Sequence, residues 1–200
     1  MNQASIGAVI LAAGTSQRMG SPKQLLTFNG NSLLRRAVQT ALATQCQPVI
    51  VVLGAHAERL QTEISDLPVT VVENCLWAEG MGSSIRTGIA ALRECSKQAA
   101  GVVLMLCDQP FVTAQTIDRL ISVYEQSQPI AVASEYGGSL GAPALFSREL
   151  FAELSALNSA EGARQILKRH REEVLGLAVP EAIWDVDTPA DYERLVQTTN

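Results

Sequence analysis

Two cations and a cluster of small residues follow the first apolar run of the chain. The stretch reads Ala8-Val-Ile-Leu-Ala-Ala-Gly-Thr-Ser-Gln-Arg-Met-Gly-Ser-Pro-Lys23. Ala8 to Ala12 has the unbroken apolar character of a buried parallel strand. Gly14, Thr15, Ser16 and Gly20 then form a loop that also carries Arg18 and Lys23. A buried strand running into such a loop suits phosphate, because glycine lets an anion reach the backbone and free N–H groups point at it. Arg18 and Lys23 can neutralise oxygens that N–H dipoles alone would leave unbalanced. Two commoner phosphate loops are excluded by spacing. A P-loop needs Gly-Lys-Ser/Thr, but Gly20 is followed by Ser21-Pro22-Lys23. A dinucleotide fingerprint needs Gly-x-Gly, but Gly14 is followed by Thr15-Ser16, which also argues against a dehydrogenase.

Asp108 is the sharpest carboxylate. It ends the longest apolar strand pattern, Gly101-Val-Val-Leu-Met-Leu-Cys-Asp108, where an acid is costly unless it faces a cleft or a partner. Beside a phosphate loop it reads as a Mg²⁺ ligand, since Mg²⁺ takes one or two protein carboxylates and fills its other positions with water and phosphate. The alternative is an Asp that caps the turn into Gln109-Pro110. Asp187 is a second candidate ligand if its segment folds back to the strand ends, and Asp185 a weaker one. Thr188-Pro189-Ala190-Asp191 reads as a helix start, with Asp191 as a capping residue. Arg86, Arg164 and Lys168 read as surface cations, His56 as a residue near a strand end, and His170 as a helix C-terminal cation. Neither histidine sits in an acid–nucleophile pattern.

The elements that must position these groups alternate. Asn31 or Ser32 caps a helix with Leu33, Leu34, Ala37, Val38, Ala41 and Leu42 at helical spacing. Val49 to Leu53 is a second strand and 56–65 a helix; Val69 to Asn74 is a third strand. Gly80, Gly82, Ser83 and Ser84 form a second small, hydroxyl-rich loop, leading into a helix with Ile85, Ile89 and Leu92 inward. After Asp108, Thr113 caps a helix striped by Ile117, Leu120, Ile121 and Tyr124. This β-α alternation implies a parallel sheet covered on both faces, with ligands beyond the carboxyl ends of its strands. The Gly14 loop, Gly54, Asn74 and Asp108 all fall at those ends. The last third is less regular. It reads as a strand over 129–134, a glycine-rich loop over 136–143 and a short strand over 144–146. Helices near 147–157 and 160–172, a strand over 174–179 and a short closing helix complete it. No linker or repeat interrupts the chain, so a single domain is expected.

The 200 residues suffice for one α/β domain with a full core. With 47% apolar and 18% charged residues, the composition is that of a globule rather than a disordered chain. The net charge of −5 disfavours nucleic acid or an anionic membrane as the main partner. Cys46, Cys75, Cys95 and Cys107 have no zinc or redox spacing, and Cys107 reads as a buried hydrophobe. Met1-Asn-Gln-Ala-Ser shows no leader pattern and no apolar run is long enough to span a bilayer, so a reducing cytoplasm is the expected location.

Six segments carry a resemblance. They are Leu11 to Leu26, Glu79-Gly-Met-Gly-Ser-Ser-Ile-Arg-Thr-Gly88, Cys107-Asp-Gln-Pro110, Gly141-Ala-Pro143, Gly162-Ala-Arg164 and Asp185-Val-Asp-Thr-Pro189. With them the chain resembles the molybdenum cofactor cytidylyltransferases of the MobA-like nucleotidyltransferase group. The resemblance implies a three-layer, Rossmann-like α/β fold with a mostly parallel central sheet, residues 1–110 mainly binding nucleotide and 130–190 mainly binding acceptor. It implies transfer of a cytidylyl group from CTP to molybdopterin, with Mg²⁺ held by Asp108 and Asp187. Arg18, Lys23 and Asp108 would be catalytic; Leu11, Ala12, Ala13, Gly14, Ser16, Gly80, Ser83 and Ser84 would bind nucleotide. Guanylyl transfer to the same pterin, cytidylyl transfer to a sugar or polyol phosphate, and delivery of cofactor to a molybdenum-enzyme client are the competing roles. In guanylyl-transferring relatives the loop typically reads Leu-Ala-Gly-Gly; Ala13 stands where their first such glycine stands, and its Cβ would narrow the base pocket and disfavour a purine. Two departures fall on the pterin side: Ala142 where the family often has His, and Ser159-Ala160-Glu161 where it often has Gly-Asp before Gly-Ala-Arg.

Overall fold

The computed structural model describes residues 5–198; residues 1–4, which carry the reading on a leader, lie outside them. β1 (Ile6–Leu11) leads to a small hairpin of β2 (Thr27–Phe28) and β3 (Asn31–Ser32). Then come α1 (Leu33–Leu42), β4 (Val49–Leu53), α2 (Ala57–Glu63), β5 (Thr70–Glu73), α3 (Met81–Cys95), β6 (Gly101–Leu106) and α4 (Ala114–Ser127). The last part holds β7 (Ala131–Tyr136), β8 (Ser139–Ser147), α5 (Phe151–Ser155), α6 (Arg164–Arg169), β9 (Val174–Ala178) and α7 (Pro189–Gln197). One seven-stranded sheet runs β5-β4-β1-β6-β8-β7-β9. β5, β4, β1 and β6 are mutually parallel, β8 runs antiparallel to β6 and β7, and β9 is parallel to β7. The architecture is therefore the mostly parallel, doubly covered sheet that the alternation implies.

Period-2 alternation splits the core into two layers. Ala8 and Ile10 of β1 and Val51 and Leu53 of β4 pack on one face with Leu34, Val38, Leu60, Ile117 and Leu120 from α1, α2 and α4. Val9, Ile50 and Val52 point to the other face and meet Ile85, Ile89 and Leu92 of α3, Leu154 of α5 and Ile166 of α6. Helix caps follow the sequence: Ser32 Oγ accepts from Arg35 N, Thr113 from Thr116 N, and Thr188 with Asp191 forms a complete capping box.

A third, smaller cluster matters for function. Phe28, Leu33, Val186 and Leu195 pack together, with Met19, Phe111 and Tyr192 against them. Tyr192 Oη donates to Thr27 O, and Val186 N donates to Asp108 O at 2.9 Å. These contacts fold the C-terminal segment back onto the strand ends and fix Asp187 there.

The last third departs from expectation in three places. Residues 139–147 form one long strand, because Gly137 and Gly138, both at positive φ, make a tight turn rather than opening a loop. The helix expected at 160–172 is only Arg164–Arg169, because residues 157–161 are spent as a strap across the start of α3. The helix expected near 147–157 begins as a 3₁₀ turn, and its α-helical part is Phe151–Ser155.

Candidate active site

The Gly14 loop leaves the carboxyl end of β1 between β4 and β6. Gln24, 1% exposed, holds it from behind: its Nε2 donates to Ala12 O and Gly14 O, and its Oε1 accepts from Ser16 Oγ. Ser16 sits at φ +58 and its Oγ also accepts from Lys23 N at 3.0 Å. Among the described residues no backbone carbonyl receives the N–H of Ala13, Gly14, Thr15 or Ser16. These donors are therefore unspent, as an anion cradle requires. A Cβ on Gly14 would point into open space, so the fold itself has no steric need of glycine there.

A cavity of about 300 Å³ opens over this loop, lined by Leu11, Ala12, Ala13 and Gly14 on one side and by Lys23, Cys107 and Asp108 on another. Trp77, Gly80, Met81 and Ser84 close the third side. Lys23 Nζ reaches across it to Asp108 Oδ2 and to Asp187 Oδ1, both at 2.6 Å. Arg18 Nη2 sits 2.7 Å from Asp187 Oδ2 on the outer side and is 70% exposed, free to swing toward a ligand. Burial alone would lower the Lys23 ammonium, but the Asp108 charge and the hydrogen bonds to both carboxylates outweigh it and raise it well above the ordinary lysine range. Burial likewise pushes Asp187 up, and Lys23 and Arg18 together hold it below the usual carboxylate range. Asp185 is pushed up, by burial first and then by its neighbours Asp108 and Asp187. Burial pushes the Cys107 thiol up to about 12, so it stays protonated and is no nucleophile.

The arrangement fits a divalent cation on one specific ground. Asp108 Oδ1 is buried and has no hydrogen-bond partner, while its Oδ2 and one oxygen of Asp187 already converge on a single positive charge. No group of three or more His, Cys, Asp or Glu residues of metal-binding geometry occurs among the described residues. Two carboxylates that leave the remaining positions to phosphate and water are what Mg²⁺ or Mn²⁺ tolerates.

Several expected site residues have other work. Ser83 and Ser84 lie inside α3, not in a loop; Asn74 Nδ2 donates to both hydroxyls, at 2.8 and 3.0 Å. Ser84 still lines the cavity, whereas Ser83 Oγ donates to the Leu76 and Gly80 carbonyls and Ser16 Oγ is absorbed in the loop. Gly80 and Gly82 admit the strap: a Cβ on either would collide with the backbone carbonyl of Ser159 or Asn158. Arg86 is a clamp rather than a solvated cation, with Nη1 donating to Leu157 O and Nη2 to Ser159 Oγ. His56 is exposed at the start of α2, and His170 pairs with Glu153. Gln24 and Trp77 are the residues that motif reading does not single out for the site, whereas Asn74 is expected there only by its place at a strand end. The signal for Gln24 was a lone amide inside Lys23-Gln-Leu-Leu26, next to the loop it braces.

The strap makes a stability prediction. Gly82→Ala would gain about 1 kcal/mol of helix propensity, but the methyl would collide with the Asn158 backbone carbonyl, and overpacking typically costs about 1–3 kcal/mol. The expected result is a lower midpoint in thermal unfolding; an unchanged or raised midpoint would show that the strap yields freely.

Comparison with known proteins agrees with this geometry. The MobA-like NTP transferase domain matches residues 8–174. The purine catabolism protein PucB of Bacillus subtilis is 32% identical over 94% of both chains. The nicotine blue oxidoreductase of Paenarthrobacter nicotinovorans is 33% identical over 72% of this chain and 67% of its own. The molybdenum cofactor cytidylyltransferase of Escherichia coli is 25% identical over 94% of both chains. The crystal structure of Rv0371c from Mycobacterium tuberculosis superposes with a TM-score of 0.83 at 33% identity, covering 98% of this chain and 100% of that one. The same protein is also known as a complex with manganese, with a TM-score of 0.78 and 32% identity over 98% of this chain and 100% of that one. With the domain matched over most of its length and its loop, lysine and carboxylates gathered at one sheet edge, the chain belongs to the MobA-like NTP transferase family and is a nucleotidyltransferase.

Proposed function

We propose that the protein joins CTP to molybdopterin, giving molybdopterin cytosine dinucleotide and pyrophosphate. The observation that carries the reading is a cavity above a loop of unspent N–H groups, lined by Lys23 and Asp108, with Lys23 Nζ within hydrogen-bond distance of both Asp108 and Asp187 at its edge. The E. coli cytidylyltransferase that matches over 94% of both chains supports the choice of reaction.

The acceptor is a phosphate monoester, largely ionised near neutrality because its second pKa is about 6. It is already a nucleophile, so no general base is needed, and neither histidine lines the cleft. The protein contributes positioning and charge compensation. The N–H groups of residues 13–16 hold the triphosphate. Lys23 and Arg18 leave their carboxylates for the phosphates and stabilise charge on the departing pyrophosphate. Asp108 and Asp187 would hold a divalent ion such as Mg²⁺, which would supply charge neutralisation at the phosphate oxygens. Residues 1–110 serve mainly the nucleotide and 130–190 mainly the acceptor, with Asp187 reaching back into the nucleotide half. A molybdenum-enzyme client and a reducing cytoplasm complete the reading; Cys75 and Cys95 are exposed, free thiols, and no helix of the described residues is long and apolar enough to cross a membrane.

Ala13 supports cytidine. It lines the cavity at 5% exposure with its methyl against Gly54 and Trp77, and removing that methyl would open this part of the wall. Ala13→Gly is expected to raise GTP use relative to CTP; an unchanged preference would remove this residue from base selection. The test of the whole reading is pyrophosphate release with molybdopterin, Mg²⁺ and each nucleoside triphosphate in turn. Release with CTP above all others is expected, and equal or greater release with GTP, or none with any nucleotide, overturns it.

A further inference from the structure

The sheet ends on β9, whose residues Val174-Leu-Gly-Leu-Ala178 carry no charge and no proline. Edge strands are commonly blunted by such residues, because a row of unpaired N–H and C=O groups invites another strand. The opposite outermost strand, β5, is shorter, ends on Glu73 and starts two residues after Pro68. The backbone groups of β9 can be accounted for one by one. Val179 N donates inward to Glu135 O of β7, so alternation along the strand turns the N–H and C=O of Val174, Gly176 and Ala178 outward. Two of these groups have partners within the chain: Val174 N donates to His170 O at 3.1 Å, and Ala178 O accepts from Arg119 Nη2 at 3.3 Å. Among the described residues the others, Val174 O, Gly176 N, Gly176 O and Ala178 N, have no protein partner.

We propose that β9 pairs antiparallel with β9 of a second copy, about a two-fold axis at Gly176, and joins the two sheets into one. In that register every unspent group is matched. Gly176 N–H donates to the second copy's Gly176 O and Ala178 N–H to the second copy's Val174 O, each bond with its reciprocal. The ladder would next reach Val174 N and Ala178 O, which are already engaged internally, so the pairing ends there. Sliding the second copy by two residues either way halves the number of bonds. The free groups are thus complementary to themselves under strand reversal, which a two-fold requires. Side chains and charges agree. Leu175, 40% exposed, shares a sheet face with Leu177 and would stand opposite the second copy's Leu177, in the kind of pair that brings side chains closest. Strand reversal also sets Arg171, five residues before Gly176, beside Glu181, five residues after it; both are exposed, and Thr116 engages only one Glu181 oxygen. The Glu135 carboxylate that lies over Gly176 shares its groove with Arg164, Lys168 and Arg171, so the acids nearing the axis are matched by cations. One strand pair is small beside a standard interface of roughly 1,600 Å², so the dimer is reversible, with a dissociation constant in the micromolar range. The proposal stands apart from the transfer reading, and nucleotide plays no part in its test.

That test is sedimentation equilibrium of the full chain from micromolar to millimolar concentration, with amide exchange read residue by residue. The expected result is a monomer–dimer equilibrium. As dimer forms, the Gly176 and Ala178 amides should exchange at least about tenfold more slowly, while Val174, already bonded to His170, changes little. Ala178→Pro removes a donor that faces away from β7, and Leu175→Lys places a charge at an exposed position, so both should fold, as melting curves check. Each should weaken the dimer at least about tenfold. Arg171→Glu and Glu181→Arg should each weaken it and together restore it, which a folding defect would not do. A monomer throughout the range, a dimer unmoved by both edge variants, Gly176 and Ala178 amides that stay fast, or charge reversals that fail to restore one another overturns the proposal.

Discussion

Asp108→Asn is expected to slow nucleotidyl transfer by about 10²–10³-fold, the cost typical of losing one well-placed electrostatic group, without lowering the thermal midpoint. The two halves of this result have one cause. Asp108 lies in the turn just past the apolar strand β6, with one carboxylate oxygen buried and unpartnered, which is an unfavourable place for a charge in the ligand-free protein. Its other oxygen pairs with Lys23, but Lys23 keeps Asp187 when Asp108 loses its charge. Neutralising Asp108 therefore removes a desolvation cost along with an ion pair, and the folded state loses little. A carboxylate kept at such a position despite its cost is the pattern of a functional site. Initial rates and a melting curve on the same preparation check both halves. Near-normal turnover would remove Asp108 from the reaction. A midpoint lowered by many degrees would make it a structural residue whose loss of activity follows from unfolding.

Asp108 could be read from the sequence because its signal is local: six apolar residues of a buried strand, then an acid. The same holds for β1 and its glycine loop, and for the two-layer sheet, since buried parallel strands and amphipathic helices write their periods into neighbouring residues. Asp187 is different. Its place depends on Val186 N reaching Asp108 O and on Phe28 and Leu33 closing around Val186, contacts between residues tens to more than a hundred positions apart. Sequence could only make its role conditional on that fold-back. Gly80 and Gly82 look in sequence like part of an open loop for a related reason: the strap whose backbone they admit lies some eighty residues downstream, while Gly80 also lines the cavity. Gln24 and Asn74 brace the loops from behind; their side chains serve backbone and hydroxyl groups, and no short motif marks that task. In the last third, Gly137-Gly138 carries the hairpin signal, but Gly141 and Pro143 just beyond it make a tight turn look like an open loop.

Lys23→Ala is expected to lower turnover by about 10²–10³-fold and, unlike any simple loss of a site residue, to tighten binding of Mn²⁺ alone at least about tenfold. Lys23 lies only 15% exposed between two carboxylates, with Nζ at 2.6 Å from each. It therefore occupies, in the ligand-free protein, the position where a divalent ion would draw its protein oxygens. Hydrogen bonds to charged groups are worth about 1.5–3 kcal/mol each, and an ion binding without nucleotide must displace two of them. Removing the ammonium abolishes that competition and leaves two carboxylates facing one another with no cation between them, which favours a metal further. Tenfold corresponds to about 1.4 kcal/mol, less than one such bond. In the intact protein the triphosphate gives the displaced ammonium a new partner, so metal and nucleotide bind best together. Calorimetric titration of Mn²⁺ into wild type and variant, with and without CTP, checks this. The wild type should show weak binding that CTP strengthens, whereas the variant should bind the ion tightly and gain much less from CTP. Equal Mn²⁺ affinity in the two proteins would mean that Lys23 does not guard the carboxylates, and unchanged turnover would remove it from the phosphate cradle altogether.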